Sequence, residues 1–302
     1  MNGIKSNTII LTGATGFIGS RLALRLVQIG WEVHVVVRLS SNMTELTPIL
    51  NSITVHQYDG TIGSMLECVR DAHPSMAIHM ASLFLAQHQA VDIDSLIQSN
   101  VLLGTQFVEA LSNCGCQRLI NVGTSWQHYK NHDINPVCLY AATKQAFEMI
   151  LNYYTSATAM NVVTLKLFDT YGLGDSRKKL FYLLHQCRKS GQALAMSPGE
   201  QLVDLVYVDD VVDAFLLILE HLNNDSRVLL SSYAVSSGRP IALKELVGVY
   251  ERVVRCKLPI TWGGRSYRPR EVMVPWNTGK SVPGWIPKVS LEEGIRRMED
   301  GK

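Results

Sequence analysis

The sequence predicts an α/β fold in which helices cover both faces of a doubly wound parallel sheet, and two observations carry that expectation. Short β-branched apolar runs recur through the first 170 or so residues with helix-spaced stretches between them, the rhythm of strands joined by crossover helices. A glycine-rich turn stands directly between the first such run and the first helical stretch, where backbone N–H groups of a helix start are exposed.

The strand candidates are Thr8–Thr12, Glu32–Val37, Ile53–Tyr58, Met76–Met80, Gln117–Val122 and Val162–Leu167. Phe17–Ile29, Leu96–Asn113 and Leu139–Thr155 place apolar residues at helical spacing. After about Tyr171 the alternation degrades, and Gly, Pro and Trp become frequent, as in Trp262-Gly263-Gly264 and Pro275-Trp276. The expected division is a sheet lobe over residues 1–170 and a smaller lobe over residues 171–302, with Leu205–Leu219, a strand then a helix, packing back on the first. In sheet-based enzymes such an irregular lobe holds substrate.

The bulk properties narrow the function classes. The 302 residues are 47% hydrophobic and 18% charged, ordinary for a globular enzyme, and a net charge of +2 gives no footing for nucleic acid or an anionic membrane. No apolar stretch approaches the roughly 18 residues of a membrane span; Val206–Leu219 is interrupted by Asp209, Asp210 and Asp213. A strand-like run beginning at Thr8 leaves no room for a signal peptide. The six cysteines carry no CxxC framework, so free thiols, no metal site and a cytoplasmic location are expected.

Thr12-Gly13-Ala14-Thr15-Gly16-Phe17-Ile18-Gly19 is the turn itself. A dinucleotide pyrophosphate needs this context: no Cβ where backbone approaches it, and helix N–H groups aimed at the anion. This makes the sheet lobe Rossmann-type. The second strand runs into Arg38, about 20 residues past the last motif glycine, where an NAD site wants a carboxylate on the ribose hydroxyl. Arg38 would pair instead with a 2′-phosphate, with Ser40 and Ser41 adding hydroxyl donors, so NADP(H) is the expected cofactor; a solvated arginine beside an indifferent site is the plainer reading. Asp59, before Gly60 at the end of the third strand, is placed to meet the adenine edge, though turn chemistry also explains an Asp-Gly pair.

Tyr140 and Lys144 are four residues apart in a helical segment, so phenol and ammonium share a face. Free tyrosine titrates near 10, and an adjacent ammonium stabilises its phenolate. The motif alone is common. It gains weight from the fifth strand, which ends Asn121-Val122-Gly123-Thr124-Ser125 at the carboxyl edge, where a hydroxyl can bond a reacting oxygen.

Taken together, Gly13, Gly16, Gly19, Ser125, Tyr140 and Lys144 resemble the extended short-chain dehydrogenase/reductase family of nucleotide-sugar epimerases, dehydratases and reductases. The resemblance runs down nearly the whole chain. His79-Met80-Ala81, with Ser82 after it, is similar to the strand-four end beside the cofactor, and Asn100 falls where the following helix carries an asparagine. Leu167-Phe168-Asp169-Thr170-Tyr171-Gly172 resembles its segment after strand six, and Gly199-Glu200-Gln201 through Tyr207-Val208-Asp209-Asp210 and Arg268-Pro269-Arg270-Glu271 resemble its nucleotide-diphosphate region. The resemblance implies a serine–tyrosine–lysine triad, with Ser125, four residues before Tyr129, as the hydroxyl and Thr124 as the other candidate. It also implies a nucleotide-sugar substrate, with Asp169 at its site and Trp126 lining the pocket or simply packing. The apolar faces at Leu96–Leu111 and Phe147–Tyr154 are similar to the family's dimer-forming helices, which implies a homodimer; the chain's own core would account for them equally.

Two departures from the family pattern matter. Val203-Asp204-Leu205 stands where the family often has Arg-Asp-Phe, leaving Arg268, with Arg270, to meet the diphosphate. Trp126 and Gln127 stand where the 4,6-dehydratases carry Asp-Glu, and neither is an acid or base, so elimination is not expected. Of the remaining reactions, a 4-ketoreductase imports a hydride each turnover and suits exchangeable NADPH, whereas a 4-epimerase recycles tightly bound NAD. Arg38 tilts the choice to reduction. The runs around Ser125 and Tyr140 look similar to the CDP-paratose and CDP-abequose synthases, which implies a 4-keto-deoxysugar substrate. A dinucleotide-sensing binder without activity has no need of an intact triad.

Overall fold

Strands rich in valine and isoleucine are apolar on both faces and must lie between two helical layers. The structure is a computed structural model and describes residues 7–224 and 230–301. Its elements begin β1 (Thr8–Thr12), α1 (Phe17–Gln28), β2 (Glu32–Arg38), β3 (Ile53–Tyr58), α2 (Ile62–Ala72) and β4 (Met76–His79). A continuous helical run follows: α3 (Ile93–Ile97), a π turn over Gln98–Leu102, and α4 (Leu103–Asn113). Next come β5 (Arg118–Thr124), α5 (Leu139–Ala157), β6 (Asn161–Leu167), β7 (Asp169–Tyr171), α6 (Leu180–Ser190), β8 (Leu194–Met196), β9 (Leu202–Val203) and β10 (Leu205–Tyr207). The chain ends with α7 (Val208–Asn224), β11 (Leu230–Val235), β12 (Ile241–Ala242), α8 (Leu243–Val254), β13 (Ile260–Trp262) and α9 (Leu291–Asp300).

Seven of these strands form one parallel sheet in the order β11-β6-β5-β4-β1-β2-β3, the doubly wound Rossmann-type arrangement expected. The order reverses at β1 and β4, the switch point where such sheets bind ligands. All six anticipated strands form, with ends moved by no more than two residues. The seventh, β11, carries no sequence signal: Leu230-Ser231-Ser232-Tyr233 is largely polar because this edge strand is buried only at its end. The π turn in the α3–α4 run was not foreseen either.

Alternation along β1 sorts its side chains into two cores. Ile9 and Leu11 pack with Leu22 and Leu26 of α1 and Phe215 and Ile218 of α7, so residues 205–219 share the core of the sheet. Ile10 faces the opposite layer, with Phe107, Leu111, Phe147 and Leu151 of α4 and α5. A third core around α6, α8 and α9 is built from Phe181, Leu184, Leu246, Tyr250 and Ile295, and Phe17 and Ile18 of the glycine turn lean on it. The crevice between sheet edge and third core therefore opens at that turn.

Where β4 leaves the sheet, His79 is fully buried. Thr12 Oγ1 accepts from the N–H groups of Met80 and Ala81, both at 3.3 Å, so its own proton goes to His79 Nδ1 at 2.8 Å and the ring proton sits on Nε2. Nε2 lies beside Phe107 and Phe147 with no hydrogen-bond partner among the described residues. Burial first, and the charge of Lys144 second, press the imidazole down to about 3. A histidine held neutral contributes stability that is complete above its free pKa of about 6.5 and lost as pH falls toward the folded value. The unfolding free energy from urea titration should therefore fall as pH is lowered, by roughly 3 kcal/mol between about pH 6.5 and 4. His79→Gln should flatten that slope, and equal slopes in the two proteins would refute this origin.

Candidate active site

The glycine turn takes its shape from close backbone approach. Gly13 has φ +76°, and a Cβ there would lie 2.5 Å from the Ala81 nitrogen. At Gly19 a Cβ would lie 2.2 Å from the Gly13 carbonyl oxygen. Gly16 caps α1 with no side chain over the first helix N–H groups, which therefore face the crevice with the positive end of the helix dipole. The crevice on one side of this turn, about 450 Å³, is lined by Gly13, Thr15, Gly16, Arg38, Ser41, Met80, Ala81 and Ser82. It continues through about 250 Å³ bounded by Phe17, Ile18, Gly19, Ser125 and Tyr140. Beyond Phe84, Trp126 and Asp169 it opens into a third space of about 390 Å³ that reaches Arg268.

α5 brings Tyr140 to the middle of this path, with Lys144 buried one turn further along the helix. Tyr140 is 8% and Lys144 1% exposed, and the Lys144 ammonium has no hydrogen-bond partner among the described residues. Burial draws Lys144 down to about 8 against the opposing charge of Glu148. It pushes Tyr140 up to about 12, with Ser82 acting in the opposite sense. A phenol so placed keeps its proton at neutral pH. Phe84 stands edge-on to the Tyr140 ring, centroids 4.9 Å apart.

The two hydroxyl candidates part company. Thr124 Oγ1 accepts from the Trp126 N–H at 3.3 Å and caps the turn after β5. The Ser125 hydroxyl makes no hydrogen bond to a described residue and borders both inner spaces. Gln127 is fully buried and binds Gln145 and Glu148, so it reaches no substrate.

Several anticipated residues stand elsewhere. Asn100 is 0% exposed and its amide is spent inside the protein. It accepts from Ser82 Oγ and the Leu83 N–H and donates to the Leu83 carbonyl and Thr143 Oγ1, holding the β4 loop against α5 rather than lining the crevice. The Asp59 carboxylate accepts from the N–H and hydroxyl of Thr61 at 2.8 and 2.7 Å and starts α2; neither it nor Gly60 nor Ser40 borders the crevice. Arg268 does line the third space, bound in a fork to Glu271 and lying over Trp126. Arg270 does not: it donates to Asn135 Oδ1 at 2.6 Å and covers the Tyr129 ring.

Sequence reasoning passed over Phe84, Arg177, Lys178 and Lys179, all on the lining, and gave Phe168, also there, no role of its own. Lys178 makes no ion pair with a described residue, while Lys179 lies 3.5 Å from Asp169. The Arg177-Lys178-Lys179 run just before α6 was the available signal. The residues of the glycine turn, the buried ammonium and the arginine at the β2 end fit a nicotinamide dinucleotide.

A sequence model of the NAD dependent epimerase/dehydratase family matches residues 9–229. The CDP-abequose synthase of Yersinia pseudotuberculosis is 28% identical over 88% of this chain and 91% of its own. The dTDP-4-dehydro-6-deoxyglucose reductase of Escherichia coli is 22% identical over 97% of each chain. The UDP-glucose 4-epimerase of Thermus thermophilus, solved with NAD, superposes with a TM-score of 0.82 over 97% of each chain at 22% identity.

The close contact at Gly13 makes a direct prediction. Gly13→Ala must shift either its own turn or the Ala81 backbone, and dinucleotide affinity should fall at least about tenfold. Titration of reduced-nicotinamide fluorescence measures this; unchanged affinity would show that the turn does not hold the cofactor.

Proposed function

The chain belongs to the NAD dependent epimerase/dehydratase family, and we propose that it uses NADPH to reduce the C4 keto group of a nucleoside-diphosphate-linked 4-keto-deoxysugar. The observation that carries this reading is the unpartnered Lys144 ammonium buried behind a protonated Tyr140, where the glycine-turn crevice meets the second lobe. The names of the Yersinia and Escherichia relatives support a deoxysugar nucleotide as substrate. Arg38 at the crevice rim supports NADP(H) over NAD.

Bound NADPH supplies the hydride. Tyr140 passes its phenolic proton to the sugar oxygen as charge develops there, and the Ser125 hydroxyl donates a hydrogen bond to the same oxygen. Lys144 binds the ribose beside the nicotinamide and stabilises the phenolate that Tyr140 becomes. Thr124 holds the turn that presents Ser125. Arg268, with Lys178 in the place left by Val203, meets the diphosphate, while Phe84, Trp126 and Phe168 give the sugar an apolar wall suited to a ring short of hydroxyls. A homodimer through the α3–α4 run and α5 accords with the exposure of Ile97, Leu102, Met149 and Tyr153, at 44%, 44%, 55% and 65%. Among the described residues no helix is long and apolar enough to cross a membrane.

Incubation with NADPH and a panel of nucleotide-linked 4-keto sugars should consume reduced nicotinamide with at least one of them. Conversion of a 4-hydroxy sugar nucleotide to its C4 epimer without added NADPH would overturn the reading in favour of epimerisation. Tyr140→Phe should lower kcat by about 1,000-fold while NADPH affinity changes less than about threefold; near-normal turnover would remove Tyr140 as proton donor. Arg38→Asp should cost at least about tenfold in NADPH affinity and little in NADH affinity, and equal losses would refute a 2′-phosphate contact.

A further inference from the structure

Beneath the turn that carries Ser125 lies a buried polar cluster that the chemistry above does not use. Lys166 of β6 donates to Glu148 Oε2 at 2.9 Å. Gln127 Nε2 donates to Glu148 Oε1 at 2.9 Å and to Gln145 Oε1 at 2.8 Å, and Gln127 Oε1 accepts from the Thr124 N–H at 2.9 Å. The ion pair leaves only 5% of the Lys166 and 15% of the Glu148 side chain exposed. A buried pair recovers little net stability once desolvation is counted, so stability alone is a weak reason for it.

Its placement supplies a stronger one. Ser125 and the Tyr140–Lys144 pair sit on different elements, the end of β5 and α5, and their spacing has to be held for both to meet one sugar oxygen. Glu148 is one turn beyond Lys144 and two beyond Tyr140 on the same helix face. Through Gln127 it reaches the N–H of Thr124, the residue before Ser125. Gly123 leaves space for this join, because a Cβ there would lie 2.8 Å from both Gln127 Oε1 and Glu148 Oε1.

We propose that Glu148 is a positioning residue: through Gln127 it fixes the serine-bearing turn against the helix of Tyr140 and Lys144, and from one turn further along that helix it sets a carboxylate charge beside the buried Lys144 ammonium. The account of turnover rests on the ketoreductase reading; the account of Lys144 does not. Of the ionisable groups near Lys144, Tyr140 and Glu148 stand one turn to either side on α5 and His79 acts from β4, while Glu148 is itself paired with Lys166 of β6. His79 is neutral through the working range, and Glu148 is the neighbouring charge that opposes the effect of burial on Lys144.

Glu148→Gln keeps the shape and most of the hydrogen bonding but removes the charge. NADPH affinity of the full-length chain, followed by nicotinamide fluorescence between about pH 6 and 10, should weaken in the wild type as Lys144 loses its proton. In Glu148→Gln that midpoint should move down by about one pH unit, and Glu148→Asp should restore it. Gln127→Leu should leave the midpoint in place while lowering kcat about tenfold with little change in KM. A folded Glu148→Gln protein with an unmoved midpoint overturns the proposal. Should Glu148→Gln not fold, Glu148→Gln with Lys166→Met leaves no unpaired buried cation at position 166, and the same downward shift is expected. A wild type that binds NADPH but reduces no keto sugar sinks the ketoreductase reading, while the midpoint shift still decides the role of Glu148.

Discussion

A lysine ammonium buried without a hydrogen-bond partner among the described residues is the constraint around which the rest of this site is arranged. Taking such a charge out of water costs several kcal/mol, and a core does not accept it without a compensating purpose. Lys144 meets that cost on the second turn of α5, one turn beyond Tyr140, which lines the crevice that starts at the glycine turn. Its burial explains why a carboxylate lies one turn further along the helix. The Lys144 charge also adds to the effect of burial in holding the nearby His79 neutral, since a second cation there would raise the cost.

The glycine turn is positioned by the same sheet edge. β1 and β4 are neighbours, and their ends are tied by Thr12, which bonds His79 on one side and the Met80 and Ala81 backbone on the other. That tie sets the backbone against which Gly13 packs too closely for any Cβ. Asn100, carried inward by the π turn, then links the loop after β4 to Thr143 of α5. Cofactor turn, β4 loop and catalytic helix are thus joined by a short chain of buried hydrogen bonds, and a shift in one is felt by the others.

Most of this was legible in the sequence because it follows from local rules. Strands buried on both faces read as β-branched runs, and a turn that excludes Cβ reads as glycine. A helix face that presents two groups reads as residues four apart. What was illegible depends on partners distant in the chain. β11 is an edge strand whose serines meet fewer burial demands, so its composition resembles a loop. Arg270 looks as suitable for an anion as Arg268, and only the folded position of Tyr129 and Asn135 turns it away. Gln127 reads as a lost acid and is in the fold a joint between β5 and α5. Asp59 illustrates the reverse: the turn chemistry visible in Asp-Gly-Thr accounts fully for where its carboxylate sits.

The two lobes differ in how tightly their chemistry is specified, and the reason is physical. The sheet edge must present backbone N–H groups, a phenol and an ammonium at fixed spacing, and it does so with residues that are nearly all buried. On the proposed reading the second lobe recognises a nucleotide-linked sugar, and its lining is aromatic and basic: Phe168, Trp276, Arg268, Lys178 and Lys179. Aromatic faces tolerate a range of flat or deoxygenated partners, and lysines bind diphosphate as point charges without the fork geometry of arginine. Exchanging the family's arginine at position 203 for valine moves anion recognition from a fixed fork toward flexible ammonium groups. Selectivity among sugars then has to come from the shape of the aromatic wall near Tyr140, where Phe84 and Trp126 meet with ring centroids 5.5 Å apart, rather than from the hold on the nucleotide.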